Sequence, residues 1–239
     1  MTLDSVMYFK QYGAQRTGTN YLKRLVELNF KNVTVFGSVL GWKHGMFETG
    51  NGYQHKCDSH KQWVDDKTKS GDVYSVDQHR LKYTPQELHD ACERLNYLIS
   101  IKNPYAFVCS YKNFRAKKQP WNESKVIDWL KNYLDCYSRW KDLYNNNSGC
   151  SILVDYDDLI CNRNIVLAKI QTKFKLEKKH EEFVQESKTV KASTDHGLLI
   201  SKEKFDTDYY SERRYMDEIP DGIERLITSF LKDYSGLRC

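Results

Sequence analysis

The sequence predicts an α/β fold with three layers, in which a mostly parallel central sheet is flanked by helices. Four short apolar runs have the composition of buried strands, at residues 6–9, 33–36, 97–101 and 152–154. Segments with helical spacing lie between these runs. Strands that alternate with helices in this way form parallel sheets covered on both faces.

The helical segments are identified by their apolar spacing and by their caps. Residues 20–28 follow the first strand and place their apolar side chains mostly on one face. The sequence "TPQE" at 84–87 combines a capping threonine, a proline at the first helical position and a glutamate that closes a capping box. It predicts a helix to about residue 96. A broad apolar stripe predicts the longest helix over 123–144, and a last helix is expected from about residue 220.

The length of 239 residues fits one domain, 1–239, with two long irregular segments at 48–80 and 185–218. The chain has 37 basic and 32 acidic residues, a net charge of +5 that suits a small anionic ligand. No run of lysine and arginine exceeds two residues. Because a nucleic-acid interface concentrates its positive charge, we expect no nucleic-acid partner.

The pattern of cysteines tests for metal sites, and the length of the apolar runs tests for membrane-spanning segments. The seven cysteines are scattered, with neither a CxxC pair nor a Cys/His group of zinc spacing, so we expect reduced thiols and no metal. No apolar stretch approaches the roughly 20 residues that cross a bilayer. These features predict a cytoplasmic protein without a membrane partner. The sequence leaves the oligomeric state open.

The stretch "YGAQRTGTNYLKRL", residues 12–25, places a glycine-rich turn between the first strand and the first helix. Backbone N–H groups in such a turn, together with those of the helix N-terminus, form an anion site. The candidate anion-binding residues are Gly13, Arg16, Thr17, Gly18, Thr19 and Asn20. Thr19 stands where a kinase loop has its lysine, and Arg16 supplies the charge instead. We therefore expect a phosphate or phosphosulfate group held without a metal.

This loop resembles the 5′-phosphosulfate loop of the P-loop sulfotransferases. In "QRTGTNYL" a basic residue, a small hydroxyl residue and Gly-Thr precede the first helix, with Arg16 in the place of the family's basic residue. The resemblance implies a sulfotransferase-type, P-loop NTPase-like fold and an enzyme that transfers a sulfuryl group to a hydroxyl or amine. It also implies 3′-phosphoadenosine 5′-phosphosulfate (PAPS) as donor, 3′,5′-adenosine bisphosphate (PAP) as product and a small-molecule or carbohydrate acceptor.

The stretch "ISIKNPYAFVCSY", residues 99–111, extends the resemblance. Lys102 at a strand end and Ser110 eight positions later match the family's motif for the 3′-phosphate of PAPS. A base at the carboxyl end of a strand and a hydroxyl on the next helix can converge on one phosphate. The family usually has arginine at this point, and lysine lacks its bidentate fork. Arg115, a nearby residue in the sequence, could supply the paired hydrogen bonds that Lys102 cannot make.

The stretch "SILVDYDDLI", residues 151–160, resembles the family's hydrophobic strand followed by Tyr-Glu-Asp-Leu, with Asp157 in place of the glutamate. The same strand has the pattern of a Walker B strand, in which Asp155 would hold a metal. Two alternative functions therefore remain. One is a metal-dependent P-loop kinase of nucleotides or small molecules, and the other is a nucleotide-binding protein without catalytic activity.

The sequence "GWKHGMF", residues 41–47, contains the candidate catalytic pair Lys43 and His44. Histidine suits a general base at neutral pH, and a neighbouring lysine lowers its pKa. We predict that His44 takes the acceptor's proton while Lys43 and Arg16 stabilise the transferring group. The alternative bases are His79, Asp77 and Glu48.

Two further parts of the site stay open. The family's carboxyl-terminal basic-Lys-Gly element has no clean match, and its candidates are Lys188, Lys191 and the pair Arg213-Arg214. The residue that stacks on adenine is not identified among Trp42 and the 17 tyrosines.

Overall fold

A computed structural model describes most of the chain and shows a central sheet of four parallel strands. The described residues are 6–37, 39–41, 43–44, 56–69, 83–184, 188–192, 198–204 and 206–233. The strands are β1 (Met7–Gly13), β2 (Val33–Phe36), β3 (Leu95–Ile101) and β4 (Ser151–Asp155), in the order β2-β1-β3-β4. All four predicted strands are present, and the predicted parallel α/β sheet is confirmed.

Helices connect the strands and complete the chain. They are α1 (Thr19–Asn29), α2 (Lys56–Lys69), α3 (Pro85–Glu93), α4 (Pro104–Arg115), α5 (Glu123–Asn146), α6 (Tyr156–Cys161), α7 (Arg163–Phe174), α8 (Thr207–Ser211) and α9 (Asp221–Asp233). A 3-10 helix covers Arg214–Glu218, and β5 (Lys188–Ala192) pairs with β6 (Leu198–Lys204) as an antiparallel hairpin.

The sheet has a hydrophobic core on each of its faces. Tyr97 and Ile99 of β3 belong to one core, which is closed by α3, α4, α5 and α9. Leu98 lies between them in sequence and belongs to the other core, which is closed by α1, α6 and α7. This alternation follows from the two-residue period of a strand. Helices therefore cover both faces of the sheet.

The predicted helix starts are closer to the structure than the predicted ends. At α3, the Thr84 hydroxyl accepts a hydrogen bond from the Glu87 N–H at 3.2 Å, and the Glu87 carboxylate accepts one from the Thr84 N–H at 2.7 Å. The predicted capping box is thus confirmed. The helix ends at Glu93 rather than near residue 96, because β3 already begins at Leu95.

Both segments that the sequence indicated as irregular contain regular elements. Helix α2 lies within 48–80, and the hairpin, α8 and the 3-10 helix lie within 185–218. Helix α2 escaped prediction because its buried strip is short, with His60 and Val64 one turn apart on a helix rich in charged residues. The single-domain organisation stays a prediction.

A buried lysine in β1 fixes the turn that follows β2. The Lys10 side chain is fully buried, and its Nζ donates hydrogen bonds to the carbonyls of Gly37 (2.5 Å), Val39 (2.8 Å) and Gly41 (2.6 Å). A buried ammonium group is tolerated only when its N–H donors have acceptors. Gly37, Val39 and Gly41, which shortly precede Lys43 in sequence, are therefore held against the sheet by Lys10.

We expect the substitution Lys10→Met to lower the free energy of unfolding by about 3 kcal/mol, because three carbonyls, of Gly37, Val39 and Gly41, lose a charged donor. Urea denaturation measures this change. The matched control is Lys131→Met at an exposed position of α5, for which we expect no comparable loss. Equal effects of the two substitutions would contradict the anchoring role of Lys10.

Candidate functional site

The candidate site lies where the four parallel strands end. The turn 13–18 follows β1, and residues 37, 39–41, 43 and 44 follow β2. Lys102 and Asp155 stand at the ends of β3 and β4. Because the strands are parallel, these segments meet at one edge of the sheet. All four sequence stretches that suggested a function have residues at this edge.

The turn after β1 has the backbone geometry of an anion-binding nest. Arg16 and Gly18 both have left-handed conformations, with φ of 72° and 76°. The Thr17 hydroxyl donates to the Ala14 carbonyl at 2.7 Å and closes the turn, while α1 begins at Thr19 without an acidic residue in its first turn. Alternating conformations of this kind turn successive N–H groups toward one point, and the helix N-terminus adds partial positive charge.

Tyr156, the first residue of α6, packs against this turn. A Cβ atom on Gly18 would lie 2.4 Å from the Tyr156 Cδ2 atom, so the backbone and the ring are in close contact. The same ring lies 4.1 Å from the Lys102 Nζ atom, measured to its centroid. One side chain therefore separates the loop from Lys102 and contacts both. The motif match at 151–160 gave no indication of this role.

Lys102 and Ser110 are in direct contact. The Lys102 side chain is 4 % exposed, and its Nζ donates to the Ser110 hydroxyl at 2.6 Å and to the Arg16 carbonyl at 3.4 Å. The Tyr210 ring centroid lies 5.0 Å from the same Nζ. The structure thus brings the predicted 3′-phosphate pair together with the backbone of the loop.

Burial lowers the pKa of Lys102 to about 7, although the negative charge of Asp157 opposes this shift. Burial also raises the pKa of Asp157, to about 6, and the neighbouring Asp155 adds to the increase. The Oδ1 atom of Asp157 is buried and has no hydrogen-bond partner in the described part of the chain. Near neutral pH, Lys102 therefore gains or loses its proton readily. A bound anion would favour the charged form.

His44 lies beside the loop with a defined tautomer. Its Nδ1 atom lies 2.6 Å from the Gly13 carbonyl oxygen. Because a carbonyl only accepts, the neutral ring carries its proton on Nδ1 and keeps the lone pair of Nε2. Burial lowers the pKa of His44 to about 4, the hydrogen bond to Gly13 opposes this, and the charges of Lys43 and Lys10 lower it further. His44 is therefore neutral at pH 7, the form that can accept a proton.

Lys43 joins the turn after β2 to the turn after β1. Its side chain is buried, and its Nζ donates to the Asn20 side-chain oxygen. Its carbonyl accepts from the Gly13 N–H at 3.1 Å. Both Lys43 and Asn20 are predicted site residues, and the structure brings them into contact.

The Arg16 side chain lies at the surface, whereas its carbonyl faces Lys102. Its guanidinium is stacked on Phe114 at 5.4 Å from Cζ to the ring centroid. The Thr19 side chain is buried, and its methyl group lies under Gly13, where an added Cβ would come within 2.8 Å of it. Thr19 therefore contributes to the loop by packing as well as by its N–H.

The remaining candidates differ in where they lie. Arg213 donates from Nε to the Tyr215 hydroxyl at 3.3 Å and interacts electrostatically with Asp157, whereas Arg214 forms an exposed ion pair with Asp206 at 2.7 Å. Lys188 and Lys191 lie on β5. Four candidates lie outside the described residues: Trp42, Glu48, Asp77 and His79.

Asp155, the residue of the metal-dependent alternative, caps α6. Its Oδ1 accepts hydrogen bonds from the N–H groups of Asp157 at 2.8 Å and Asp158 at 3.3 Å. Among the described residues, no three His, Cys, Asp or Glu side chains group as metal ligands.

Comparisons with known proteins leave the family open. No protein-family model matches the chain, and a search of the curated proteins finds no match either. None of the helices in the described ranges combines the length and the apolar character needed to cross a membrane.

We expect Gly18→Ala to destabilise the fold by about 2 to 5 kcal/mol. The left-handed conformation at this position contributes roughly 1 to 2 kcal/mol and the contact with Tyr156 roughly 1 to 3 kcal/mol. Urea denaturation measures the change. Gly149→Ala is the matched control, because a Cβ there meets nothing within 4 Å. A Gly18→Ala variant as stable as this control would contradict the packing described for the loop.

We expect His44 to make the protein sensitive to acid between pH 6.5 and about 4. In this range the unfolded chain binds a proton that the folded chain does not bind, so the free energy of unfolding falls as the pH falls. Between pH 7 and 4.5, the wild type should lose about 2 to 3 kcal/mol more than His44→Gln, which does not titrate. Denaturation of both proteins at both pH values gives the difference. Parallel losses would show that His44 is not buried in its neutral form.

Proposed function

We propose that the protein is a cytoplasmic PAPS-dependent sulfotransferase with a fold of the P-loop sulfotransferase type. The observation that carries the proposal is the contact network of Lys102. Its Nζ bonds Ser110 and reaches the backbone of Arg16, so the two predicted anion sites adjoin at one edge of the sheet. A ligand with a phosphate on each side of an adenosine would need two such sites close together.

The first anion site would hold the phosphosulfate. Its donors would be the N–H groups of Arg16 and Gly18 in the turn after β1 and those of the first turn of α1, with the side chains of Arg16 and Asn20 beside them. The N–H groups of Gly13 and Thr17 already donate to the carbonyls of Lys43 and Ala14, so these two residues shape the loop. The residues assigned to it are Gly13, Arg16, Thr17, Gly18, Thr19 and Asn20. The nest geometry and the helix N-terminus support this assignment, because both attract an anion without a metal.

The second anion site would hold the 3′-phosphate, which distinguishes PAPS from ATP. Lys102 supplies a positive charge and Ser110 a hydroxyl donor, and they already lie within hydrogen-bond distance of each other. A phosphate that enters here would accept hydrogen bonds from the Lys102 ammonium group. It would compete with the two protein acceptors of that group, the Ser110 hydroxyl and the Arg16 carbonyl. The Tyr156 and Tyr210 rings would remain as the walls of the site.

His44 would act as general base in an in-line transfer. Its Nε2 would accept the proton of the acceptor's hydroxyl or amine while the acceptor atom forms a bond to sulfur. The bond from sulfur to the 5′-phosphate oxygen would break, and PAP would leave with that electron pair. Lys43 and Arg16 would stabilise the charge that develops on the transferring group and on the leaving phosphate. His44 is neutral at pH 7, as a general base must be, although a pKa of about 4 makes it a weaker proton acceptor than an ordinary histidine.

We expect PAP to bind more tightly than Mg-ATP in calorimetric titrations. Lys102→Ala should weaken PAP binding by about 10- to 100-fold, because a charged hydrogen bond to phosphate is lost. Lys131→Ala, at an exposed position on α5, should leave the affinity unchanged. Preference for Mg-ATP would favour the kinase alternative. PAP binding without sulfuryl transfer from PAPS to any hydroxyl or amine would favour the catalytically inactive alternative.

The same titration has a second readout that a purely structural role of Lys102 would not affect. Because the pKa of Lys102 is about 7 in the empty site, PAP binding at pH 8 should be accompanied by proton uptake. The uptake is obtained from binding enthalpies in two buffers with different ionisation enthalpies. In Lys102→Arg, which stays charged, the uptake should decrease sharply while binding persists. Unchanged uptake would assign the proton to another group.

A further inference from the structure

The backbone of Lys102 is held by a side chain from another helix. Tyr133 lies on α5 and is only 2 % exposed. Its hydroxyl accepts a hydrogen bond from the Lys102 N–H at 2.8 Å and donates one to the Lys102 carbonyl at 2.5 Å. The ladders that join β3 to β1 and to β4 both end before Lys102. The Tyr133 hydroxyl therefore satisfies two backbone groups that a neighbouring strand would otherwise satisfy.

The ring of the same tyrosine packs against the helix that carries Ser110. The Tyr133 ring is stacked on Phe107, with 4.3 Å between the two centroids and 15° between the two planes. Phe107 and Ser110 both belong to α4. They are three positions apart, so they are neighbours on one side of that helix. Tyr133 therefore helps to fix the position of α4 and with it the position of Ser110.

The connection between Lys102 and α4 is short and well defined. Only Lys102 and Asn103 separate β3 from α4. The Asn103 side-chain oxygen accepts a hydrogen bond from the Tyr105 N–H at 3.0 Å, and the Asn103 carbonyl accepts one from the Phe107 N–H at 2.8 Å. Tyr133 contacts this connection on both sides of the cap, because its hydroxyl binds Lys102 and its ring packs on Phe107. One side chain of α5 thus holds both ends of the segment.

The Tyr133 hydroxyl keeps its proton near neutral pH. Burial raises the pKa of this hydroxyl, and the hydrogen bond with the Lys102 backbone opposes the shift only in part. A neutral hydroxyl donates and accepts at the same time, whereas a phenolate only accepts. The Tyr133 hydroxyl can therefore bind the N–H and the carbonyl of Lys102 together.

We propose that Tyr133 is a positioning residue of the 3′-phosphate site, which holds the Lys102 ammonium group next to the Ser110 hydroxyl so that one phosphate can bind both. This inference rests on the proposed sulfotransferase function, in which that pair distinguishes PAPS from nucleotides without a 3′-phosphate. Arg115, the other cation considered for this phosphate, donates to the Gln15 side-chain oxygen at 3.2 Å. Lys102 is therefore the cation that Tyr133 has to place.

The test compares PAP with adenosine 5′-monophosphate (AMP), which lacks only the 3′-phosphate, in calorimetric titrations of the full chain. Tyr133→Phe removes the hydroxyl and keeps the ring on Phe107. We expect it to weaken PAP binding by about tenfold and AMP binding by no more than about twofold, because only the 3′-phosphate depends on the Lys102–Ser110 pair. In a Lys102→Ala background, Tyr133→Phe should cause no further loss of PAP affinity.

Two further variants complete the titrations. Tyr144→Phe is the matched control, because Tyr144 is a half-buried tyrosine near the end of the same helix, and this change should leave both affinities unchanged. Phe107→Leu removes the stacking partner and leaves the Tyr133 hydroxyl in place. It should also weaken PAP binding more than AMP binding, and it replaces Tyr133→Phe if thermal unfolding shows that the latter is not folded.

A second measurement follows Lys102 without any nucleotide. Acetic anhydride reacts with the neutral form of an amine, so the rate of Lys102 acetylation as a function of pH, read by mass spectrometry, gives the pKa of Lys102. We expect a pKa of about 7 in the wild type and in Tyr144→Phe. In Tyr133→Phe the pKa should rise toward that of an ordinary lysine, because the amine is no longer held in its buried position.

The outcomes separate this inference from the function on which it rests. If PAP binds and Tyr133→Phe changes the PAP and AMP affinities equally, the positioning role is overturned and the proposed donor stands. A loss of PAP affinity that persists in the Lys102→Ala background would also overturn the positioning role. If PAP does not bind the wild type but the pKa of Lys102 rises in Tyr133→Phe and not in Tyr144→Phe, the positioning role stands and the proposed donor is wrong. An unchanged pKa in that case would overturn both.

Discussion

The candidate site depends on the need of buried ammonium groups for oxygen acceptors. Three lysines, one inside β1 and two just after β2 and β3, are nearly inaccessible, and each finds its acceptors on a different segment. Lys10 binds the carbonyls of the turn 37–41, Lys43 binds Asn20, and Lys102 binds Ser110 and the Arg16 carbonyl. A buried charge without such partners would cost several kcal/mol. The segments that supply these oxygen acceptors are therefore fixed in position next to the lysines, at one edge of the sheet.

The same lysines set the protonation states of their neighbours. Lys10 and Lys43 add to the effect of burial and lower the pKa of His44. The carbonyl of Gly13, in the loop beside them, fixes the tautomer of the ring. Lys102 is the exception among the three, because burial brings its own pKa down to about 7. Two lysines thus support the structure and tune a base, while the third is poised to respond to an anion.

Local sequence signals predicted the parts of this arrangement that depend on neighbouring residues. Apolar runs gave the four strands and the capping box gave the start of α3. The motif that resembles the sulfotransferases paired Lys102 with Ser110, and these residues are in contact. The contacts of Tyr156 and Phe114 had no local signal, since each touches a loop that is distant in sequence. The direction of the Arg16 side chain had no local signal either, because it depends on the contact with Phe114 on α4. Such contacts arise only from tertiary packing.

The carboxylates near Lys102 bear on how an anion would enter. Asp157 and an entering phosphate would both interact with the Lys102 charge, and they would repel each other. With its pKa raised to about 6, Asp157 can bind a proton more easily than an exposed carboxylate does, which reduces that repulsion. Arg213 also interacts with Asp157, so its positive charge can stabilise the Asp157 carboxylate when Lys102 binds the phosphate. Before an anion arrives, Asp157 favours the charged form of a lysine that burial disfavours. Once the anion is bound, Asp157 no longer has Lys102 to itself and repels the ligand. Asp157 therefore keeps Lys102 charged before binding, but it lowers the affinity of the site for the anion.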